Sequence, residues 1–169
     1  NAADIGTHIT AAPTPFNATQ QAAAEAALAV LAQITGIRFV ATGDGHAADI
    51  HFADGDLLGQ NTAGFCSLSW SYSYSGTTVT RYSADAFVYL DTANFAASNN
   101  APTVGTTGFE VLLHELGHAM GLKHPFDGEV TLPTAQDNTA NTLMSYTSSG
   151  GAHATYSPYD IAALMWLYG

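Results

Sequence analysis

One segment constrains the fold of this chain more than any other. His114-Glu115-Leu116-Gly117-His118 lies in an apolar run headed by Thr107 and Glu110, whose spacing is that of a capping box and predicts a helix starting there. Four helical residues turn by about 400°, so the two imidazoles stand on one face, about 6 Å apart along the axis. A single zinc ion about 2.0–2.1 Å from each ring nitrogen can bridge them.

The residues after this helix complete a metal-binding pattern. Gly121 lacks a Cβ and can adopt the left-handed conformation that ends a helix and turns the chain back. His124 then becomes a third ligand, and three protein ligands leave an open position, as in catalytic zinc sites. Glu115 projects beside the metal, where it can accept a proton without being a ligand. A helix with chance histidines is the alternative, but composition does not force the clustering, because His8, His46, His51 and His153 lie elsewhere.

Composition limits the class of protein. A chain of 169 residues, 47% apolar, has room for one folded domain with a sizeable core. The formal charge of −11 makes nucleic acid and anionic membranes poor partners, and no apolar run is long enough for a membrane span. Cys66 is the only cysteine, which excludes an internal disulfide and a cysteine zinc cluster. We read the chain as a mature form or a domain of a longer protein.

Local patterns predict an α+β fold. Asn17 and Gln20 form a capping box before an Ala-rich helix over residues 18–35, and Gly36 ends it. Ser157, Pro158 and Asp160 open a last helix that runs to about residue 168. Strands are predicted at residues 37–41, 48–53, 63–70 and 84–91. Residues 79–82 either extend the last of these strands or form a hairpin with the third.

The segment His114-Glu115-x-x-His118-x-x-Gly121-x-x-His124 resembles the long zinc signature of the metzincin clan of zinc peptidases. Pro125 after the third histidine is similar to the serralysin branch, and Leu143-Met144-Ser145-Tyr146 resembles the clan's Met-turn. The resemblance implies that Met144 forms an apolar floor under the zinc. It also implies that Tyr146 is a fifth ligand, which leaves the metal when substrate binds and then hydrogen-bonds the oxyanion.

The same resemblance implies the architecture. It predicts a metzincin-like catalytic domain with a twisted, mixed, five-stranded sheet, an antiparallel edge strand, two long helices and a C-terminal helix. Residues 1–169 form this single domain, with an active-site cleft between an upper part, 1–124, and a lower part, 125–169. Asp160 is a buried structural carboxylate near the Met-turn. Substrate is expected to pair with an edge strand that contains Gly64, Phe65, Cys66 and Ser67. The aromatic residues that follow, Trp70, Tyr72 and Tyr74, either border the cleft or cover a hydrophobic surface, and we favour the second.

These residues predict a metalloendopeptidase that hydrolyses internal peptide bonds with one catalytic zinc ion and Glu115 as general base. The alternatives are a zinc-bearing self-processing or binding module of a larger secreted protein, and a zinc hydrolase of non-protein substrates. Calcium is compatible with the acidic composition, but no motif for it is readable. We expect a secreted, extracellular, bacterial monomer whose partners are protein or peptide substrates and a possible proteinaceous inhibitor, without nucleic acid or membrane.

Overall fold

The computed structural model describes residues 2–59 and 61–169 and contains one mixed sheet packed against helices. The elements in chain order are a short 3₁₀ helix (Ala2–Asp4), β1 (Thr14–Pro15), α1 (Ala18–Thr35), β2 (Ile50–Gly55), β3 (Gly64–Ser75), β4 (Thr78–Asp91), α2 (Ala96–Asn99), α3 (Thr107–Ala119) and α4 (Pro158–Tyr168). The strand order in the sheet is β1-β2-β4-β3. The β2–β4 pair is parallel, whereas the β1–β2 and β3–β4 pairs are antiparallel.

The sheet has four strands among the described residues, so the prediction of five is wrong in that detail. The predicted strand at residues 37–41 has no ladder partner. Its alternating apolar side chains, Ile37 and Phe39, instead pack half-buried against the core. Burial alone therefore explains the alternation that the sequence shows there. The antiparallel edge strand is confirmed, because β3 pairs only with β4 within the described sheet.

The helix ends follow local side-chain chemistry. The Asn17 side chain accepts hydrogen bonds from the N–H groups of Thr19 and Gln20, and the Gln20 side chain accepts from Asn17 N–H, which confirms the predicted capping box. The predicted start of α4 at Ser157, with Pro158 and Asp160 in its first turn, is confirmed, and Ser157 and Asp160 also form a capping box. At α3 the prediction is wrong by one residue.

The α3 cap shows why that prediction failed. Thr106, not Thr107, is the N-cap, and its hydroxyl accepts from the Phe109 N–H. Glu110 is therefore free of the cap, and its carboxylate accepts hydrogen bonds from the backbone N–H and the Nδ1 of His153, at 2.7 and 2.6 Å.

The main core lies on one face of the sheet. Leu31 of α1, Leu112 and Leu116 of α3, Val88 of β4 and Leu164 of α4 are fully buried in it. Because side chains alternate along a strand, Tyr89, which follows Val88 in β4, faces the opposite side of the sheet. A smaller cluster on that side includes Ile9 and Leu57. No helix in the described ranges is long and apolar enough to cross a membrane.

The β3–β4 hairpin extends well beyond this core. β3 has 12 residues and β4 has 14, whereas β2 has 6, so the outer half of the hairpin lacks a neighbouring strand. Trp70, Tyr72 and Tyr74 are 63%, 59% and 69% exposed. The prediction that these aromatic rings cover a hydrophobic surface is therefore wrong, because the strands carry them past the packed elements. We call these three residues the aromatic row.

Candidate metal centre

Three histidine rings converge at the C-terminal end of α3. His114 and His118 lie one helical turn apart on α3, which ends at Ala119. Gly121 then adopts a left-handed conformation with φ +89°, and the Leu122 N–H bonds back to the Gly117 carbonyl at 2.9 Å. This turn returns His124 to the helix, so that one ligand atom from each of the three histidines lies within 4.8 Å of the others.

Each of these rings is oriented by a hydrogen bond at Nδ1. His114 Nδ1 donates to the Leu143 carbonyl at 2.7 Å, and His118 Nδ1 donates to the Leu122 carbonyl at 2.9 Å. His124 Nδ1 lies 2.8 Å from the Asp127 carboxylate. Carbonyl and carboxylate oxygens accept hydrogens, so the proton stays on Nδ1 and Nε2 keeps its lone pair. All three rings are thus held in the tautomer that binds a metal through Nε2.

The donor set fits zinc. The Nε2 atoms of His118 and His124 are 3.1 Å apart. Two ligands of a tetrahedral zinc ion would stand about 3.3 Å apart if each lay about 2.05 Å from the metal. Burial lowers the pKa of His114 to about 4, and burial also lowers the pKa of His118. Neutral imidazole is the form that ligates metals, so both rings are ready to bind at neutral pH.

Glu115 is buried beside the histidines. It is 6% exposed, and burial raises the pKa of its carboxyl to about 8. β3 passes very close to it: a Cβ at Gly64 would lie 2.7 Å from Glu115 Cγ and 2.8 Å from Val111 Cγ1. Only a residue without a side chain fits at position 64 while Glu115 keeps this position.

A buried chain of contacts supports the site from below. Met144 is 1% exposed, and its Sδ would lie 2.7 Å from a Cβ at Gly117, so sulfur and helix backbone are in close contact. Asp160 accepts hydrogen bonds from the Thr142 hydroxyl at 2.6 Å and from the Leu143 N–H at 2.7 Å. The Leu143 carbonyl in turn holds His114, which connects α4 to the metal centre.

Tyr146 covers the open side of the site. Its hydroxyl lies 2.9 Å from His124 Nε2, while the side chain is 71% exposed. Its ring centroid is 5.9 Å from that of His114 and 5.1 Å from that of Phe126. Burial, together with the negative charges of Glu115 and Asp127, raises the pKa of its hydroxyl, so Tyr146 carries a proton to donate.

The predicted edge-strand residues divide between the two faces of the sheet. Gly64 lines an open cavity of about 420 Å³ beside the histidines, together with Val111, His114, Glu115 and Tyr146. Cys66 turns into the core, where burial raises the pKa of its thiol to about 12. On the other face, Phe65 stacks on His8 and the Ser67 hydroxyl donates to Asp4. Near the site, β3 therefore offers its backbone rather than its side chains.

Sequence reasoning missed the supporting role of two carboxylates. Asp127 holds His124, and its position three residues after that histidine is the signal that could have revealed it. The Lys123 ammonium fixes the same loop by donating to the backbone carbonyls of Asp127 and Val130. Glu110, which also lines the cavity, holds His153, and no local signal joins these two residues.

Known proteins are similar in sequence to most of this chain. The family model described as metallo-peptidase family M12 matches residues 5–157. Serralysin G from Dickeya chrysanthemi is 29% identical over 174 residues, which cover 91% of this chain and 34% of that protein. Metallopeptidase AprA from Pseudomonas marginalis is 30% identical over 178 residues, covering 91% and 35%. Serralysin A from Dickeya chrysanthemi is 32% identical over 170 residues, covering 91% and 34%. The chain spans about a third of the length of these relatives.

Proposed function

Because the chain belongs to metallo-peptidase family M12 and is a serralysin-like metzincin, we propose that it is a zinc-dependent endopeptidase. The observation that carries this proposal is the convergence of three oriented imidazoles beside the buried carboxyl of Glu115. A purely structural zinc site would have a fourth protein ligand and no need for a base. Residues 1–169 would form one catalytic domain, with the cleft between residues 1–124 and 125–169.

In this mechanism His114, His118 and His124 hold the metal through Nε2. A zinc ion bound there would polarise the scissile carbonyl, acidify the attacking water and return the Glu115 carboxyl to its ionised form. Glu115 takes the proton of the attacking water and passes it to the leaving amine. Tyr146 swings away from His124 and donates a hydrogen bond to the oxyanion.

The substrate would lie antiparallel to β3 and bond to its free backbone edge at Gly64–Ser67. The lack of a side chain at Gly64 would let a peptide approach Glu115 closely, and the adjoining cavity would receive one side chain next to the scissile bond. Gly121, Met144 and Asp160 serve structural roles: the turn that returns His124, the floor beneath the histidines, and the anchor of the Met-turn.

Activity on a protein substrate tests this proposal. The chain loaded with zinc should cleave casein, a chelator should abolish cleavage, and stoichiometric zinc should restore it. Glu115→Gln keeps the size of the side chain and should retain bound zinc, measured by metal analysis, while turnover is lost. Bound zinc without turnover across a varied peptide library would instead favour a self-processing or binding module. Secretion, a monomeric state and a proteinaceous inhibitor stay predictions of the sequence, and calcium binding is neither predicted by a motif nor tested.

A further inference from the structure

The outer half of the β3–β4 hairpin is a surface that the proposed catalytic chemistry does not use. Opposite residues in an antiparallel pair share a face, so the aromatic row stands with Ala84, Tyr82 and Val79 of β4. The other face of β3 carries serines at positions 69, 71, 73 and 75. The Tyr72 and Tyr74 rings are stacked, with centroids 6.2 Å apart. The hairpin thus has one aromatic face and one hydroxyl face.

The free edge of β3 lacks two of the usual protections against pairing, although its ladder with β4 shifts register between Ser73 and Tyr74. Natural edge strands are commonly blunted by charged residues or proline, because unpaired backbone groups recruit other strands. β3 contains neither a charged residue nor a proline over its 12 residues. Residues 57–84 contain Arg81 and no acidic residue, although the chain as a whole carries a charge of −11. An added strand therefore meets no negative charge along this edge, in contrast to the acidic remainder of the chain.

The free edge is continuous with the candidate metal centre. β3 starts at Gly64, in contact with Glu115, and continues without a break to Ser75. At about 3.4 Å per residue, Trp70 lies about 20 Å and Tyr74 about 34 Å from Gly64 along the strand. A polypeptide antiparallel to β3 passes the aromatic row first and reaches Glu115 afterwards. Its residues at the aromatic row are then N-terminal to the bond at Gly64.

We propose that the aromatic row and the free backbone edge beside it form a distal substrate-binding surface, to which the serine side chains of the other face do not contribute. This surface adds the N-terminal part of an extended polypeptide as a strand and seats its alternate apolar side chains on the aromatic row. The inference rests on the proposed function and specifies its substrate as long, unfolded polypeptide. A flexible chain can extend along the whole of this edge without first losing structure of its own. Aromatic and aliphatic side chains at alternate positions are favoured, because such pairs across neighbouring strands stabilise a sheet.

Two peptides with the same cleavage site test the proposal. The short peptide spans only the site, and the long one adds about ten N-terminal residues, enough to reach Tyr74, with apolar side chains at alternate positions. For the zinc-loaded wild-type chain, KM should be about tenfold lower for the long peptide. In the triple variant Trp70→Ser, Tyr72→Ser, Tyr74→Ser, the ratio of the two KM values should fall to about one. Circular dichroism checks that this variant is folded.

A matched control is available on the other face of the same strand. The double variant Ser71→Ala, Ser73→Ala changes two serines of the hydroxyl face and should keep the wild-type ratio of KM values. Equal KM values for both peptides with the wild-type chain would overturn the proposal, as would an unchanged ratio in the triple variant. Dimerisation of the wild-type chain that the triple variant abolishes would also overturn it, because a second copy would then occupy the edge.

A binding measurement separates this inference from the proposed activity. In a Glu115→Ala, Trp166→Phe chain, Trp70 is the remaining tryptophan, since the sequence has 2. The long peptide should shift its fluorescence to shorter wavelength in a saturable way, and the short peptide should not. If the zinc-loaded wild-type chain cleaves neither peptide but the Glu115→Ala, Trp166→Phe chain shows this shift, the endopeptidase proposal fails and the binding surface stands. If the wild-type chain cleaves the peptides but the double variant shows no shift, the distal surface fails and the endopeptidase proposal stands.

Discussion

Replacing Gly64 by alanine adds one methyl group at the closest contact between β3 and α3. The added Cβ would lie 2.7 Å from Glu115 Cγ, 2.8 Å from Glu115 Oε1 and 2.8 Å from Val111 Cγ1. Carbon atoms in favourable contact are about 3.5 Å or more apart, so the strand or the Glu115 side chain must move by about 0.8 Å. Glu115 has little room to do so, because it is buried.

The cost follows from this overlap. Overpacking of a well-packed site costs about 1–3 kcal/mol, and the reduced freedom of the unfolded chain returns about 0.4–1 kcal/mol. The net loss of about 1–2 kcal/mol corresponds to a fall in Tm of about 2–8 °C for a chain of this size. Misplacing a catalytic group by about 1 Å can cost about a hundredfold in rate, so kcat/KM should fall by up to that factor.

Thermal unfolding by circular dichroism and peptide hydrolysis in the presence of zinc measure the two effects. Gly151→Ala is the matched control, since a Cβ there meets nothing within 4 Å and Gly151 has no positive φ. The control should leave Tm and kcat/KM unchanged. A Gly64→Ala chain with both the Tm and the kcat/KM of the wild type would refute the reasoning, because Glu115 would then not need the space that Gly64 leaves.

Three further substitutions probe the carboxylates around the site and the core. Asp127→Ala removes the acceptor of His124 Nδ1 and should weaken zinc binding about 10- to 100-fold in competition with a chromophoric chelator, while Asp127→Asn retains most of the affinity. Asp160→Ala leaves three buried donors without an acceptor, at Thr142, Leu143 and Ser157, and should cost about 3 kcal/mol in urea unfolding. Burial raises the pKa of Asp54 from 3.8 to about 6, although a hydrogen bond from its neighbour Gln20 opposes the shift. The folded state therefore binds this proton more tightly, and the associated stability is complete below pH 3.8 and lost as the pH rises through about 6. Asp54→Asn should then be more stable than the wild type at pH 7.5 by about 1–3 kcal/mol in urea unfolding, with the difference vanishing near pH 4.

Each of these expectations has a clear contrary result. Equal zinc affinity in Asp127→Ala would mean that the loop itself orients His124. Wild-type stability in Asp160→Ala would mean that water replaces the carboxylate. A stability difference for Asp54→Asn that is the same at pH 4 and pH 7.5 would mean that the Asp54 carboxyl does not titrate in this range.

The parts that the sequence predicted are those specified by near neighbours in the chain. His114 and His118 are one turn apart on a helix, and Gly121 has the conformation that its lack of a Cβ allows. The cap of α1 at Asn17 is equally local. The sequence does not distinguish Thr106 from Thr107 as the cap of α3, because both are good caps by themselves. Only the packed structure selects Thr106.

The parts that the sequence did not predict depend on distant partners. Residues 37–41 have the composition of a strand, but pairing needs a neighbour, and the sheet does not extend to them. Glu110 and His153 are 43 residues apart, so neither position reveals the other. The exposure of the aromatic row depends on how far the β3–β4 hairpin extends beyond the helices, and composition does not determine that length.

The contact of Asp160 with Leu143 and of Leu143 with His114 has a consequence for biosynthesis. α4 is made after all three histidines, yet its first turn carries the carboxylate that anchors the Met-turn, which in turn orients the first histidine. A ribosome that has translated all three histidines has therefore not yet produced a complete metal centre. The anchor of the His114 ring forms only when Asp160 emerges, so a nascent or truncated chain lacks the full support of one of its three ligands.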